Sequence, residues 1–242
     1  VMRHTIKTLL LSLSLVAAAP FASAGIEDLD ELQHGTVGKD WVFVKNDQRH
    51  GFKTYAKQED GKRFRSFKAE GVFNASMASF IRMITDFDNM KKWTWHAIDS
   101  KMLKKVSPTE YYFYVTHDSP YGVPDRDVAL HMVIEPQTKN RPYITIAIRA
   151  VPDYIPERPP FVRMTAEEMN VKITPLPDGK INVVNEGYVD PGGNMASWAI
   201  NFVQRSAPYA TLLGMRRMLQ QPEVANSNTP LPFPVYEYNN LP

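Results

Sequence analysis

Two close groups of carboxylates are the side chains of this sequence whose spacing could support acid–base chemistry. Glu167 and Glu168 are adjacent, and Asp125 and Asp127 flank Arg126. Acid–base catalysis requires carboxyl groups that reach the same substrate. Neighbouring residues of a β-strand point to opposite faces, so one of the two glutamates is expected to face solvent. The Asp-Arg-Asp triplet is more typical of structural ion pairs, and neither group by itself predicts an active site.

The histidines and glycines form none of the common catalytic motifs. Each of the 6 histidines lacks the close His/Glu spacing of a metal site. His117 and Asp118 are adjacent, so on a strand their side chains point to opposite faces. Cys is absent, and neither a Gly-x-Ser-x-Gly elbow nor a glycine-rich phosphate loop occurs. We therefore predict no catalytic residue, no metal and no cofactor.

The elements that position these residues are mostly β-strands. Apolar and polar residues alternate along many short segments, as in antiparallel strands that bury one face. Helical spacing of apolar residues predicts one helix over residues 76–86 and a long one over residues 197–220, where Pro208 should introduce a kink. The sequence thus predicts an α+β fold, although periodicity does not distinguish a filled core from a hollow one. The predicted strands are residues 41–45, 51–55, 63–73, 98–106, 111–117, 127–135, 143–151, 162–175 and 181–189.

The first residues predict an export signal. Arg3 and Lys7 accompany an apolar run over residues 8–21, and Ala22-Ser23-Ala24 provides the small residues that a signal peptidase accepts. The run is shorter than the roughly 20 residues of a membrane-spanning helix. We predict a signal peptide over residues 1–24 and a periplasmic or otherwise exported mature protein. Retention of the segment as a membrane anchor is the alternative.

The charge balance of the mature chain argues against nucleic acid as a partner. The 28 Lys and Arg exceed the 26 Asp and Glu by two, and cleavage near Ala24–Gly25 removes two basic residues. A nucleic-acid-binding protein normally shows a basic excess. Without Cys the protein cannot form disulfides, so a hydrophobic core must stabilise it. We predict one domain over residues 25–220 and a Pro- and Asn-rich tail over residues 221–242.

Several short motifs follow one another in an order that is specific, although each motif is weak alone. They are Trp41-x-Phe43-x-Lys45, a helix ending at Asp86 with Trp93 soon after it, Pro124-Asp125-Arg126-Asp127, Val162-Arg163 after a proline-rich segment, and Tyr188-Val-Asp-Pro-Gly-Gly193 followed by Trp198-x-x-Asn201. Across residues 29–219 the chain resembles the START (steroidogenic acute regulatory protein-related lipid transfer) domain family.

The resemblance implies a helix-grip fold, in which a curved antiparallel sheet surrounds a long C-terminal helix and encloses an apolar cavity. It implies a monomer that binds, and possibly transfers, one lipid or other hydrophobic small molecule without catalysis, with transient membrane contact. The loop over residues 118–125 and the last helix would form a gate. The gate residues are Pro120, Tyr121, Gly122 and Val123.

Strand alternation combined with the resemblance predicts which side chains line the cavity. The departure from the family lies at Met132 and Phe113, which stand where the cholesterol-binding steroidogenic members carry a buried Arg and acid. The ligand head group therefore cannot be inferred from those members, and a sterol, a hopanoid, a fatty acid and a phospholipid all stay open. The predicted lining residues are Trp93, Trp95, Tyr111, Phe113, Val115, Val128, Leu130, Met132, Ile134, Arg163, Asn185, Tyr188, Trp198, Phe202, Leu212 and Met215.

Two other function classes remain open from the sequence. The first is an enzyme of the wider helix-grip superfamily, of the polyketide cyclase or aromatase type, which would need polar groups in the cavity. His131, Arg163 or Glu167 could provide them, although His131 should point away from the cavity if Met132 points into it. The second is a partner-binding module that uses an aromatic surface.

Overall fold

Ten β-strands form one sheet in the computed structural model, which describes residues 40–242. The strands are β1 Val42–Asp47, β2 Phe52–Lys57, β3 Ser66–Phe73, β4 Ala97–Ser107, β5 Glu110–His117, β6 Arg126–Glu135, β7 Ile144–Ala150, β8 Val162–Arg163, β9 Ala166–Pro175 and β10 Ile181–Asp190. The spatial order is β1-β2-β3-β10-β9-β7-β6-β5-β4, so the sheet stays open between its edge strands β1 and β4. Neighbouring strands on this path are antiparallel, and the short β8 pairs in parallel with β6. The predicted signal peptide, residues 1–24, lies outside the described residues.

Three helices accompany the sheet in the described part of the chain. Helix α1, Met77–Thr85, begins where predicted, because the Ser76 hydroxyl accepts a hydrogen bond from the Ser79 amide at 3.0 Å. A 3-10 helix, Phe87–Lys92, follows it. Helix α2, Ser197–Leu219, is the predicted long helix and continues through Pro208, and α3, Pro222–Ala225, is short.

The single strand predicted over residues 162–175 is wrong, because the chain changes partners in the middle of this segment. The Met164 amide still donates to the Asp127 carbonyl at 2.9 Å, beside β6. The next amide, that of Thr165, donates to the Asp190 carbonyl at 3.2 Å, at the end of β10. The segment therefore forms two strands. Strand β8 pairs with β6, and β9 pairs with β7 and β10.

Residues 221–242 return to the body of the domain. The Glu237 carboxylate accepts hydrogen bonds from the amides of Met77 and Ala78, at 3.1 and 3.2 Å. These amides are among those at a helix start that have no partner within the helix. The Gln137 side-chain amide donates to the Tyr236 carbonyl at 2.8 Å and accepts from the Tyr236 amide at 2.9 Å. The predicted tail thus caps α1 with a side chain that lies far away in sequence.

Candidate functional site

One face of the sheet carries the apolar side chains that were predicted from alternation; we call it the inner face. On β5 and β6 the cross-strand pairs are Tyr111 with Met132, Phe113 with Leu130, and Val115 with Val128. All of them, together with Ile134 and with Leu212 and Met215 of α2, belong to one buried core. The structure therefore brings together ten of the predicted lining residues: Trp93, Tyr111, Phe113, Val115, Val128, Leu130, Met132, Ile134, Leu212 and Met215.

The two ends of α2 differ in how they pack. At the C-terminal end a side chain at Gly214 is sterically excluded, because its Cβ would lie 2.0 Å from the Trp93 carbonyl oxygen. Trp93 itself is 6% exposed, and its indole nitrogen has no hydrogen-bond partner among the described residues. Before Pro208, in contrast, Ala199 is the one buried residue of the helix.

The orientation predicted for two aromatic residues of α2 is wrong. Trp198 is 57% and Phe202 is 47% exposed, so neither covers the strands as expected. Both lie in the N-terminal part of α2, which the core does not cover, and helical spacing alone could not reveal this. Phe202 contacts the partly buried Trp95, with ring centroids 5.8 Å apart.

Arg163 was also predicted to line the cavity, but it lies on the outer face of the sheet, where it is paired with Asp127 in the β6–β8 register. Its guanidinium donates two hydrogen bonds to the carboxylate of Asp127, at 2.9 and 3.0 Å, and the Tyr114 hydroxyl donates a third at 2.7 Å. Asp127 is completely buried. Burial alone would raise the pKa of Asp127, but the hydrogen bonds from Arg163 and Tyr114 keep it below its usual value.

The proline-rich segment before β8 is fastened by the same guanidinium. Arg163 also donates to the backbone carbonyls of Pro152, Ile155 and Pro156. The role of Arg163 is therefore to hold this segment against the outer face, and it is unavailable to a ligand on the inner face.

Tyr188 likewise lies on the outer face, because it is paired with Glu168, one position out of phase with the inner residues of β9 and β10. The Lys62 ammonium lies 4.6 Å from the centre of its ring. Together with Trp41 these residues border a small polar pocket on the outer surface. The prediction of Tyr188 as a lining residue is wrong, because Tyr188 lies three positions after the inner-face Asn185, and alternation along β10 puts the two on opposite faces.

The Arg126 side chain connects the predicted gate loop with the segment before α2. It is 3% exposed and donates to the carbonyls of Pro124, Pro191 and Gly192. Because Arg126 and Asp127 are adjacent on β6, one points inward to these loops and the other outward to Arg163. Alternation thus explains why an Arg-Asp dipeptide stands at this position.

The predicted gate residues form an exposed turn between β5 and β6. The Val123 amide donates to the Pro120 carbonyl at 3.0 Å, and Gly122 has a φ of +79°, which favours glycine. Tyr121, at the tip, is 99% exposed. Gating itself stays a prediction.

The inner face also carries polar groups, of which the sequence analysis predicted Asn185 but not Thr54 or His117. Asn185, which was predicted, lies there between Ala69 and Val171, and its side-chain oxygen is buried without a hydrogen-bond partner in the described chain. The hydroxyl of Thr54, which β2 places opposite Ala69, is also buried without a hydrogen-bond partner in the described chain. His117 follows Val115 on the same face of β5, and burial lowers its pKa to about 4 despite a hydrogen bond to the Trp95 backbone.

Glu167 is the further polar residue of the inner face. It lies two positions before Met169 and four before Val171 on β9, and is paired with Val189 of β10. Sequence analysis named Glu167 only as a polar group that an enzyme could use, and extending the alternation from Val171 assigns it to the inner face. Within residues 40–242 no group of acidic or histidine side chains is arranged to hold a metal ion.

A large antiparallel sheet that packs a long C-terminal helix defines the helix-grip class of α+β proteins. The family model of the START domain matches residues 27–223, and the chain belongs to this family. A STAR-related lipid transfer protein of Xanthomonas axonopodis, solved as a fragment, is 28% identical with a TM-score of 0.68, and the match covers 75% of this chain and 99% of that one. Human StAR-related lipid transfer protein 5 is 15% identical with a TM-score of 0.66, covering 82% and 94%. An uncharacterized protein of Pseudomonas aeruginosa is 26% identical over 207 residues, 86% of this chain and 96% of that protein.

Proposed function

We propose that this protein binds one hydrophobic small molecule, a lipid or sterol-like compound, between the inner face and the N-terminal half of α2, and transfers it unchanged. Membership of the START family and the fold shared with lipid transfer proteins of Xanthomonas axonopodis and human support lipid binding. The particular lipid stays open, because the buried acid–Arg pair of the steroidogenic members is replaced here by apolar residues.

The unequal burial of α2 is the observation that carries this proposal. Between its start and Pro208 only Ala199 is buried. Three apolar residues of the inner face, Phe67, Met169 and Val189, border the core but are only partly buried themselves. An apolar surface that the helix does not fully cover is the arrangement that a hydrophobic ligand requires.

A catalytic role of the cyclase or aromatase type has less support from the site. His131 points to the outer face, where its imidazole contacts the Glu110 carboxylate at 2.8 Å. Arg163 is engaged with Asp127. Of the three polar candidates, only Glu167 lies on the inner face. A lone carboxyl group without a partnered base or acid gives weak grounds for catalysis, so we propose binding without turnover.

We also propose that the protein acts as an exported monomer that touches membranes transiently. Within residues 40–242 no helix is long and apolar enough to cross a membrane. The exposed aromatic residues Tyr121, Trp198 and Phe202 on the gate loop and the start of α2 support brief contact with a lipid surface. Intact-mass measurement of protein secreted by a bacterial host tests export: a chain that begins at Gly25 supports it, and a full-length mass contradicts it.

Lipid extraction from protein purified from its native host, followed by mass spectrometry, tests the binding proposal. A matched pair of variants locates the site. Val189→Trp fills the inner face beside the partly buried region, and we expect it to reduce the bound lipid by about tenfold, which corresponds to about 1.4 kcal/mol. Val133→Trp, at a position 36% exposed on the outer face, is the control. Equal lipid content in both variants would place the ligand elsewhere.

A further inference from the structure

One carboxyl group on the inner face of the sheet, that of Glu167, has no partner among the described residues. Glu167 shares its face of β9 with Met169 and Val171, because side chains alternate along a strand. On one side it is paired with Val189 of β10. On the other side, continuing the β7–β9 register by one residue beyond the Arg149–Glu168 pair places Ala150 beside it. Both neighbours are small and apolar, so they leave room in front of the carboxyl group.

The Glu167 carboxyl group is partly buried and lacks polar partners among the described residues. Among the described residues it has no hydrogen bond and no ion pair, and burial alone raises its pKa to about 7. Its side chain nevertheless keeps part of its surface accessible. A partly accessible carboxyl group on the inner face can contact a molecule that is bound there. An unpartnered carboxyl group in such a place lacks hydrogen bonds that a bound ligand can provide.

The charged and titratable groups on the neighbouring elements do not satisfy this carboxyl group. Arg149 points outward and donates to Asn170 at 2.7 Å. Burial keeps His117 neutral, and Arg126 is engaged with backbone carbonyls. Arg65, for which burial lowers the pKa, forms no ion pair with Glu167. Asp190 on β10 is paired with Ala166 and points to the outer face, and Arg205 on α2 is exposed. The charged and titratable groups of the elements around Glu167 are thus Arg65 before β3, His117 on β5, Arg126 on β6, Arg149 on β7, Asp190 on β10 and Arg205 on α2.

We propose that Glu167 binds the polar end of the ligand, and that this end is an uncharged hydroxyl group. The inference rests on the proposed function, since it assumes a hydrophobic ligand on the inner face. A protonated carboxyl group donates one hydrogen bond and accepts another, which matches a hydroxyl group. A carboxylate or phosphate would be repelled once Glu167 ionises, and an ammonium would require the burial of two charges.

The direction of the pH dependence distinguishes these head groups. A hydroxyl ligand removes Glu167 from water and therefore favours its neutral form, so the affinity is highest below pH 7. Above that pH the affinity falls by up to tenfold per unit, because the carboxyl group must take up a proton on binding. An ammonium ligand gives the opposite slope, because it favours the ionised form.

Displacement of a fluorescent apolar dye by dodecanol or by dodecylamine, between about pH 6 and pH 9, measures these slopes. For the full-length protein we expect dodecanol to bind more tightly below neutral pH than above it. Glu167→Gln keeps the shape and hydrogen-bonding groups but cannot ionise, so its dodecanol affinity should not change with pH. Glu168→Gln, at a side chain 47% exposed on the outer face, should behave like the wild type.

Two results would overturn the inference while leaving the proposed function intact. One is a dodecanol pH profile that is the same in the wild type and in Glu167→Gln. The other is tighter binding of dodecylamine with an affinity that rises through pH 7. Glu167→Leu provides a second variant if Gln disturbs folding, and it should lose the preference for dodecanol over a plain alkane probe. A wild type that binds no probe and carries no lipid rejects the proposed function and this inference together.

Discussion

The buried ion pair on the outer face allows a quantitative stability prediction. Replacing Arg163 by Met removes both hydrogen bonds to Asp127, at 2.9 and 3.0 Å, and leaves a carboxylate with 0% exposure. Only the Tyr114 hydroxyl, at 2.7 Å, remains as a donor. Loss of one partner from a buried pair destabilises proteins by about 3–5 kcal/mol. We expect a loss of this size in the free energy of unfolding.

Urea unfolding followed by tryptophan fluorescence measures this loss, and the melting temperature should fall by about 6–20 °C for a domain of this size. Lys180→Met is the matched control. It breaks the ion pair with Asp178, whose side chains are 42% and 53% exposed, and pairs of this kind contribute about 0–1 kcal/mol. A loss for Arg163→Met that is no larger than that of the control would refute the reasoning.

The pH dependence provides a second check on the same pair. The pKa of Asp127 in the folded protein lies below its ordinary value of 3.8. The ionised form is therefore the stabilising one, and its contribution is complete above the unfolded pKa and is lost as the pH falls through the folded pKa. Asp127→Asn should thus be less stable than the wild type at neutral pH, and this difference should shrink in acid. A difference that stays constant down to acid pH would contradict this account.

Two further predictions concern α2 and the gate. Gly214→Ala places a Cβ 2.0 Å from the Trp93 carbonyl oxygen, so we expect a loss of about 1–3 kcal/mol in urea unfolding, whereas Ala210→Gly at a partly buried position should cost at most about 1 kcal/mol. Arg126→Met removes the donor shared by Pro124 and Gly192. We therefore expect amide hydrogen exchange to become faster than in the wild type in residues 118–125 and 190–196, but not in β2. Unchanged exchange in both segments would show that Arg126 does not hold them together.

Alternation along single strands made most of the fold and much of the site predictable. The inner residues of β5 and β6 follow directly from it, as Phe113 opposite Leu130 illustrates. Arg163 and Tyr188 failed for different reasons. Tyr188 was predicted on the same face as Asn185, three residues before it, which the alternation of β10 does not allow. Arg163 belongs to a segment whose phase depends on which strand it pairs with, and that pairing is a tertiary property. The change of partner between Met164 and Thr165 leaves no mark in the local pattern.

The helix shows the other limit of sequence reasoning. Apolar spacing indicates which residues of α2 share a face, but not how far the sheet extends beneath that face. Trp198 and Phe202 were therefore predicted to line the cavity, although both are about half exposed. Only the structure reveals that α2 is packed closely at Gly214 and loosely before Pro208.

The same incomplete cover gives Glu167 its importance. In a filled core an unpartnered carboxyl group would destabilise the folded protein without a compensating interaction, and an apolar residue at this position would be more stable. On an inner face that α2 covers incompletely, however, a ligand can take the place of the missing partner. Arg126, on the same face, forms its hydrogen bonds within the protein, whereas Glu167 forms none with residues 40–242. This contrast separates the residue that holds the gate loops from the residue that we expect to select the ligand.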